Sequence, residues 1–308
     1  MTADISFDGK VVIVTGAGNG LGRSHALLFA SRGAQVVVND LGGTMEGTGE
    51  SASPALAVVE EIVAAGGIAV ADQNNVSTIE GGEEIVKTAI RSFGRVDVVI
   101  NNAGILRDRS ISKMEASVWD PVVAVHLRGT MAVSRAAWPH LIESGSGRIV
   151  NTSSNAGIFG NFGQSNYGAA KMGIIGFTRV LAQEGAKHGI CVNAIAPIAR
   201  TRMTEALLGK LADKLDPSLV SPVVAYLASI ECTLTGEILS TGGGRVSRLF
   251  IGATPGICDP QLSVEGVRDS INEILDESGY VVPTSTTGET ALFVRYLRSL
   301  DSGAPSRQ

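Results

Sequence analysis

The chain has 308 residues, 44% of them hydrophobic and 18% charged, with a net charge of −5 and a pI near 5.5. That is enough apolar material for one large α/β domain. No basic block interleaved with aromatics points to nucleic acid, and no apolar run reaches membrane-spanning length. Three scattered cysteines, Cys191, Cys232 and Cys258, lack CxxC spacing. They read as buried thiols in a reducing compartment and argue against a disulfide framework or a metal site. The opening MTADISFDGK holds no apolar signal core, and the closing SRQ is not a peroxisomal SKL address, so the cytoplasm is the expected location.

The first elements read as strand, glycine-rich turn, helix and strand. Val11–Val14 is a continuous apolar run, as in a strand covered on both faces. Gly16, Gly20 and Gly22 follow with Asn19 and Leu21 between them, giving TGAGNGLG. Glycine there permits a tight turn and brings backbone N–H groups to a pyrophosphate at a helix N-terminus. The spacing departs from GxGxxG, because Leu21 stands where the last glycine would fall. Asp40 ends the second strand. A carboxylate there hydrogen-bonds ribose hydroxyls and repels a 2′-phosphate, which selects NAD over NADP. Asn39 and Leu41 bring no compensating positive charge.

A Gly/Ser-rich loop at 41–54 interrupts the pattern beside this point. Helices are then expected over 55–65 and 80–93, with strands over 68–71 and 96–100. A long helix at 119–142 precedes a strand at 148–152. A helix at 165–188, a strand at 190–195, a helix at 221–230 and a short strand at 237–240 complete the alternation. An amphipathic insertion at 199–218 is placed to fold over the cleft. The alternation implies a Rossmann-type doubly wound parallel sheet, with ligands outside the carboxyl ends of its strands. The reading is one dinucleotide-binding domain over 1–247. A C-terminal extension, 248–308, carries two helices (263–279 and 287–300) and a disordered end, GAPSRQ.

Chemistry concentrates in NTSSNAGIFGNFGQSNYGAAK. Tyr167 and Lys171 are four apart and share one helix face. An ammonium beside a phenol favours the phenolate and lowers its pKa. Ser154, just past a strand, can hydrogen-bond a carbonyl or alcohol oxygen.

TGAGNGLG (15–22), NNAG (101–104), Ser154, YGAAK (167–171) and the segment from Pro197 to Thr201 together resemble the short-chain dehydrogenase/reductase family. The resemblance implies nicotinamide-linked oxidoreduction. In it Tyr167 is the acid/base, Lys171 holds the nicotinamide ribose and Ser154 orients the substrate oxygen. It also implies cofactor contacts from Asn102, Ala103 and Gly104, from Asn75 and Val76 at the adenine, and from Pro197, Ile198 and Thr201 near the nicotinamide. VVVNDLGG, NNAGILRDRS, VHLRG, RAAWPH and GIFGNFGQSNYGAAK look in particular like the (3R)-hydroxyacyl-CoA dehydrogenase domains of peroxisomal multifunctional enzymes of type 2. His126 stands where most of the wider family has an Asn that supports a water in a proton relay. It either holds that water or is a structural residue bonded to backbone.

The expected activity is therefore NAD-dependent interconversion of a secondary alcohol and a ketone, with an acyl-CoA thioester as substrate. A steroid or other alcohol dehydrogenase that does not use CoA is the nearest alternative, and a non-catalytic NAD-binding sensor is the alternative of another class. Arg107, Arg109, Arg200 and Arg202 lie near the expected cleft mouth; CoA phosphates need such cations, but a solvated surface arginine is the more frequent case. Met203, Leu207 and Leu208 could line an acyl pocket or pack under the insertion. The helices at 119–142 and 165–188 are the surfaces this family pairs, so a homodimer or homotetramer is expected.

Overall fold

The computed structural model describes residues 4–200 and 213–301. Thr201, Arg202, Met203, Leu207 and Leu208, most of the expected insertion, and the terminal GAPSRQ lie outside the described residues.

Eight strands form one sheet in the order β3-β2-β1-β4-β5-β6-β7-β8. The strands are β1 (Val11–Thr15), β2 (Gln35–Asn39), β3 (Ile68–Asp72), β4 (Val98–Asn101), β5 (Arg148–Thr152), β6 (Cys191–Pro197), β7 (Ile238–Gly242) and β8 (Arg245–Leu249). The pairs from β3 through β7 are parallel. The order reverses between β1 and β4, the switch point where such sheets open a crevice. This is the doubly wound α/β sheet that the alternation implied.

The period of two along each strand divides the core into two layers. Val12 and Val14 of β1, with Val36 and Val38 of β2, pack on helix α1 (Gly20–Ser31) through Ala26 and Phe29. Val11 and Ile13, with Val37, pack on α3 (Ile79–Phe93) through Ile85, Val86 and Ala89. Both layers are dry, so β1 tolerates no polar position until Thr15.

Several boundaries shift. The helix expected at 55–65 is α2 (Ser53–Ala64), started by Pro54 in its first turn. The long helix runs from α4 (Ala116–Val123) through a π-helical segment, Ala124–Arg128, into α5 (Gly129–Glu143). A short helix α6 (Asn155–Phe159), capped by Ser154, precedes α7 (Ser165–Gly185). Helix α8 (Ser221–Ala228) precedes β7. Strand β8 was not expected at all. It follows β7 through Gly243 and Gly244, both at positive φ, and a two-residue connection joins antiparallel neighbours.

By its internal contacts the chain divides into two units, Met1–Arg248 and Leu249–Gln308. In the second, the helix expected over 263–279 is two short pieces, α9 (Val264–Asp269) and α10 (Ile271–Ile274), broken at Ser270. The other is α11 (Thr286–Asp301). An isolated antiparallel bridge, Ala253 to Val281, and a stack of Phe250 on Tyr280 at 5.6 Å tie the unit together. None of its described side chains is buried. Cys258 is accordingly exposed and Cys191 half-buried, and only Cys232 is the buried thiol that all three were taken to be. Among the described residues no helix is long and apolar enough to cross a membrane.

Candidate active site

A cavity of about 510 Å³ lies along the carboxyl ends of β1, β2, β4, β5 and β6. Asn19, Gly20 and Leu21 at the start of α1 border it, with Asp40, Asn75 and Val76 at one end and Ser154, Tyr167 and Lys171 at the other.

The glycine turn is shaped by contact. Gly16 has φ +63°, and a Cβ there would stand 2.7 Å from Ala103 Cα. A Cβ on Gly22 would stand 2.2 Å from the Gly16 carbonyl oxygen. Gly22 is therefore buried behind the turn, outside the cavity wall, and its role is packing. Asn102 locks the same turn. Its Nδ2 donates to the carbonyls of Thr15 and Gly16 at 3.0 and 3.1 Å, and the N–H groups of Asn102 and Ala103 donate to Thr15 Oγ1. No side chain caps the N-terminus of α1, so its first amides are presented to an anion in the cavity.

Asp40 accepts from the Gly18 N–H at 2.8 Å through one oxygen and from the Gly42 N–H at 2.7 Å through the other. This aims the carboxylate and leaves it further lone pairs. Behind it, Asp72 accepts from Asn39 Nδ2, from Asn74 N and Nδ2, and from Thr88 Oγ1. That network positions the segment carrying Asn75 and Val76. The loop at 41–54 lies against the cavity: Leu106 N donates to the Met45 carbonyl and Arg107 Nε to that of Glu46. The residues present fit a dinucleotide: a close-packed glycine turn, a free helix N-terminus and a ribose-height carboxylate.

At the opposite end, Ser154 and Tyr167 line the cavity together, and the Ser154 hydroxyl pulls the phenol's pKa down. Lys171 Nζ donates to the Thr152 carbonyl at 2.6 Å and stands 5.5 Å from the Tyr167 ring centroid. Ser153 Oγ pins the Lys171 carbonyl at 2.8 Å. Burial pushes the Lys171 ammonium down to about 7. The sequence reading had Lys171 lowering the Tyr167 pKa. Here the phenol is raised, first by burial and then by the Asp108 charge, against the lowering effect of the Ser154 hydrogen bond. Desolvation is the largest cause for both groups.

His126 is buried in the π-helical segment, its ring edge-on to Tyr167 at 5.1 Å between centroids. Burial, then the Lys171 charge, drives its pKa well below the usual value, so the imidazole is neutral. Nε2 lies 2.8 Å from the Ile105 carbonyl oxygen and 3.1 Å from the Ile105 N–H nitrogen, while Nδ1 is buried without a partner. Gly104 is required beside it: a Cβ there would stand 2.3 Å from His126 Cε1.

Pro197 borders the cavity, but Ile198 does not. Its side chain is 41% exposed and its N–H donates to the Thr241 carbonyl, because it sits one step past Pro197 on the opposite face. The arginines proposed for CoA have other occupations. Arg107 donates to the carbonyls of Glu46 and Ser117, Arg109 to that of Asp108, and Arg200 pairs with Asp213 at 3.1 Å. Sequence reasoning missed Thr15, Gly18, Asn161 and Gln164. The Thr before the glycine turn carried a signal, a hydroxyl ending an apolar run; the others acquire meaning only from contacts between distant segments.

The chain matches the short chain dehydrogenase family over residues 10–211. It is 47% identical over 307 residues to the mouse peroxisomal multifunctional enzyme type 2, covering 98% of this chain and 41% of the mouse enzyme. It is 41% identical over 266 residues to a hydroxyacyl-CoA dehydrogenase of Mycobacterium tuberculosis, covering 80% of each. The solved full-length peroxisomal multifunctional enzyme type 2 of Drosophila melanogaster superposes with a TM-score of 0.82 at 38% identity, over 96% of this chain and 51% of that one. The chain thus spans less than half the length of the mouse relative. Cavity, glycine turn and Ser/Tyr/Lys set agree with the sequence matches: the chain belongs to the short-chain dehydrogenase family, oxidoreductases that act on CH–OH groups with a nicotinamide cofactor.

Proposed function

We propose that this protein is an NAD-dependent (3R)-hydroxyacyl-CoA dehydrogenase. The observation that carries the reading is one cavity with Asp40 at one end and Ser154, Tyr167 and Lys171 at the other. Asp40 supports NAD, because its carboxylate is aimed by two backbone N–H groups and no cation stands beside it in sequence to accept a 2′-phosphate. The thioester and its (3R) configuration rest on similarity to the multifunctional enzymes and to the mycobacterial hydroxyacyl-CoA dehydrogenase.

When bound at the glycine turn, the nicotinamide cofactor supplies the hydride acceptor. Ser154 holds the substrate hydroxyl oxygen, and Tyr167 as phenolate takes its proton; in the reverse direction Tyr167 donates it. Lys171, with a pKa near 7, is matched to pass a proton onward at neutral pH. Nδ1 of His126, buried without a partner and near enough to Lys171 to feel its charge, supports a relay role for that residue over a purely structural one.

The test is steady-state NAD⁺ reduction with (3R)- and (3S)-hydroxyacyl-CoAs of several chain lengths and with free secondary alcohols. Turnover confined to (3R)-thioesters is expected. Faster turnover of steroid or simple alcohols would overturn the thioester reading, and no reduction across the panel would point to a non-catalytic NAD-binding protein.

A further inference from the structure

Holding the reacting hydroxyl at Tyr167 fixes one end of a substrate; something must hold the acyl carbonyl beyond it. Two segments far apart in sequence meet on that side. The Arg109 N–H donates to the Gly163 carbonyl at 2.8 Å, and Arg109 and Gln164 form an isolated parallel bridge. Asn166 Nδ2 fastens the same pair of segments by donating to the Arg107 carbonyl at 2.9 Å.

This clamp sets Gln164, 8% exposed, in the cavity wall just before α7. Its Nε2 donates to Asp108 Oδ2 at 2.9 Å, and its Oε1 accepts from Asn161 Nδ2 at 3.0 Å. An ionised carboxylate only accepts, so Asp108 permits one orientation of the Gln164 amide. Gln164 then directs Asn161 to turn its own NH₂ inward. Each NH₂ group has a second N–H beyond the bond named, and Gln164 and Asn161 both border the cavity whereas Asp108 stands behind them. The wall beside the phenol is thus a pair of neutral donors backed by one anion.

We propose that Asp108 is a positioning residue that sets substrate class: through Gln164 and Asn161 it aims amide donors at an uncharged acyl carbonyl, and its charge keeps free carboxylates out. The site therefore takes 3-hydroxyacyl thioesters and rejects free 3-hydroxy acids. This rests on the thioester reading above. A thioester carbonyl lacks charge and meets only the donors. A carboxylate in the same place meets a like charge across the buried Gln164 amide, with Asp108 and Asn161 themselves exposed, and that repulsion is the element that specificity needs. Burial is the main reason the Tyr167 phenol is raised, and the Asp108 charge adds a smaller push in the same direction. Among the described residues no cation is paired with the Asp108 carboxylate, whose side-chain partner is Gln164. Arg109 is turned to the Asp108 backbone carbonyl, Arg107 is held by two other carbonyls, and Lys171 lies behind the phenol on the Thr152 carbonyl.

The test compares 3-hydroxybutyryl-CoA with free 3-hydroxybutyrate, at saturating NAD⁺, in the wild type, Asp108→Asn and Gln164→Ala, with pH profiles of kcat/KM. The wild type should prefer the thioester by at least about tenfold, the scale of a like-charge juxtaposition with an exposed partner. Asp108→Asn should narrow that ratio roughly tenfold and lower the apparent pKa for oxidation, because a neighbouring anion no longer opposes the phenolate. Gln164→Ala should raise KM for the thioester while the free acid stays poor, since Asp108 remains. An Asp108→Asn enzyme that loses activity equally on both substrates, with the pKa unmoved, would overturn the proposal and leave Asp108 a structural residue. A wild type inactive on every thioester would overturn the functional reading and this inference with it; thioester activity with an unchanged ratio sinks this inference alone.

Discussion

The two ends of the cavity are built on opposite principles. At the glycine-turn end nearly every polar group is satisfied. Asp72 accepts four hydrogen bonds, Asn102 bridges to Thr15 and Gly16, and Asp40 is held by two N–H groups. At the catalytic end the groups are buried and left short of partners: His126 Nδ1, Thr152 Oγ1 and Asn155 Oδ1. A binding end gains from a rigid, fully bonded frame, since nothing there changes charge. A proton-transfer end works through groups whose protonation the surroundings set, and burial does so here by pushing Lys171 down to about 7 and the Tyr167 phenol up. The contrast predicts that substitutions separate cleanly into losses of chemistry and losses of cofactor binding.

Tyr167→Phe is the sharpest separation. It removes the hydroxyl and keeps the ring that packs on His126. Turnover should fall roughly 10²–10⁴-fold, the usual worth of a positioned acid/base, while NADH binding by fluorescence changes little. Wild-type-like turnover in this variant would end the assignment of the catalytic end.

Gly22→Ala attacks the other end without touching chemistry. Its Cβ would stand 2.2 Å from the Gly16 oxygen and 2.5 Å from Asn102 Nδ2, so the turn must shift. A stability loss of about 1–3 kcal/mol is expected, with NADH affinity falling and the pH profile of the remaining turnover unchanged. An altered pH profile would show that the two ends are coupled.

The sequence made most of this frame legible, because strands buried on both faces are written as apolar runs and their ends are where the motifs fell. Val11–Val14 and Arg148–Thr152 needed no tertiary information. The π-helical segment was hidden: Ala124–Arg128 keeps the composition of an ordinary helix, and the extra residue per turn that places His126 leaves no pattern. Strand β8 was hidden because RVSRL is largely exposed and lacks an apolar run. The pairing of Asp108 with Gln164 joins residues 56 apart, beyond any local rule. The direction of the Tyr167 shift was misjudged because charge proximity is readable from spacing, whereas desolvation depends on what packs around the helix.

Asp40→Ala tests how specific the bonded end is. Loss of a charged acceptor costs about 1.5–3 kcal/mol, so the preference for NAD over NADP, as a ratio of kcat/KM, should fall by one to two orders of magnitude. A wild type that already prefers NADP would contradict the role given to Asp40.

The smallest effect probes the one place where the bonded half borrows the other half's principle. His25, on α1, is fully buried; its Nδ1 lies 2.8 Å from Ser221 Oγ and its Nε2 has no partner. Burial lowers its pKa to about 3. The unfolded chain, with an ordinary His near 6.5, binds more protons than the folded one between those values, so stability must fall as pH drops below 6.5 and keep falling toward 3. From pH 6.5 to 5 this amounts to about 1–2 kcal/mol. Urea titrations at the two pH values should show that loss in the wild type and a smaller one in His25→Asn, whose amide keeps a partner for Ser221 and cannot charge. Equal acid sensitivity in both proteins would assign the loss to other groups, and would confine the use of desolvated titratable residues to the catalytic end.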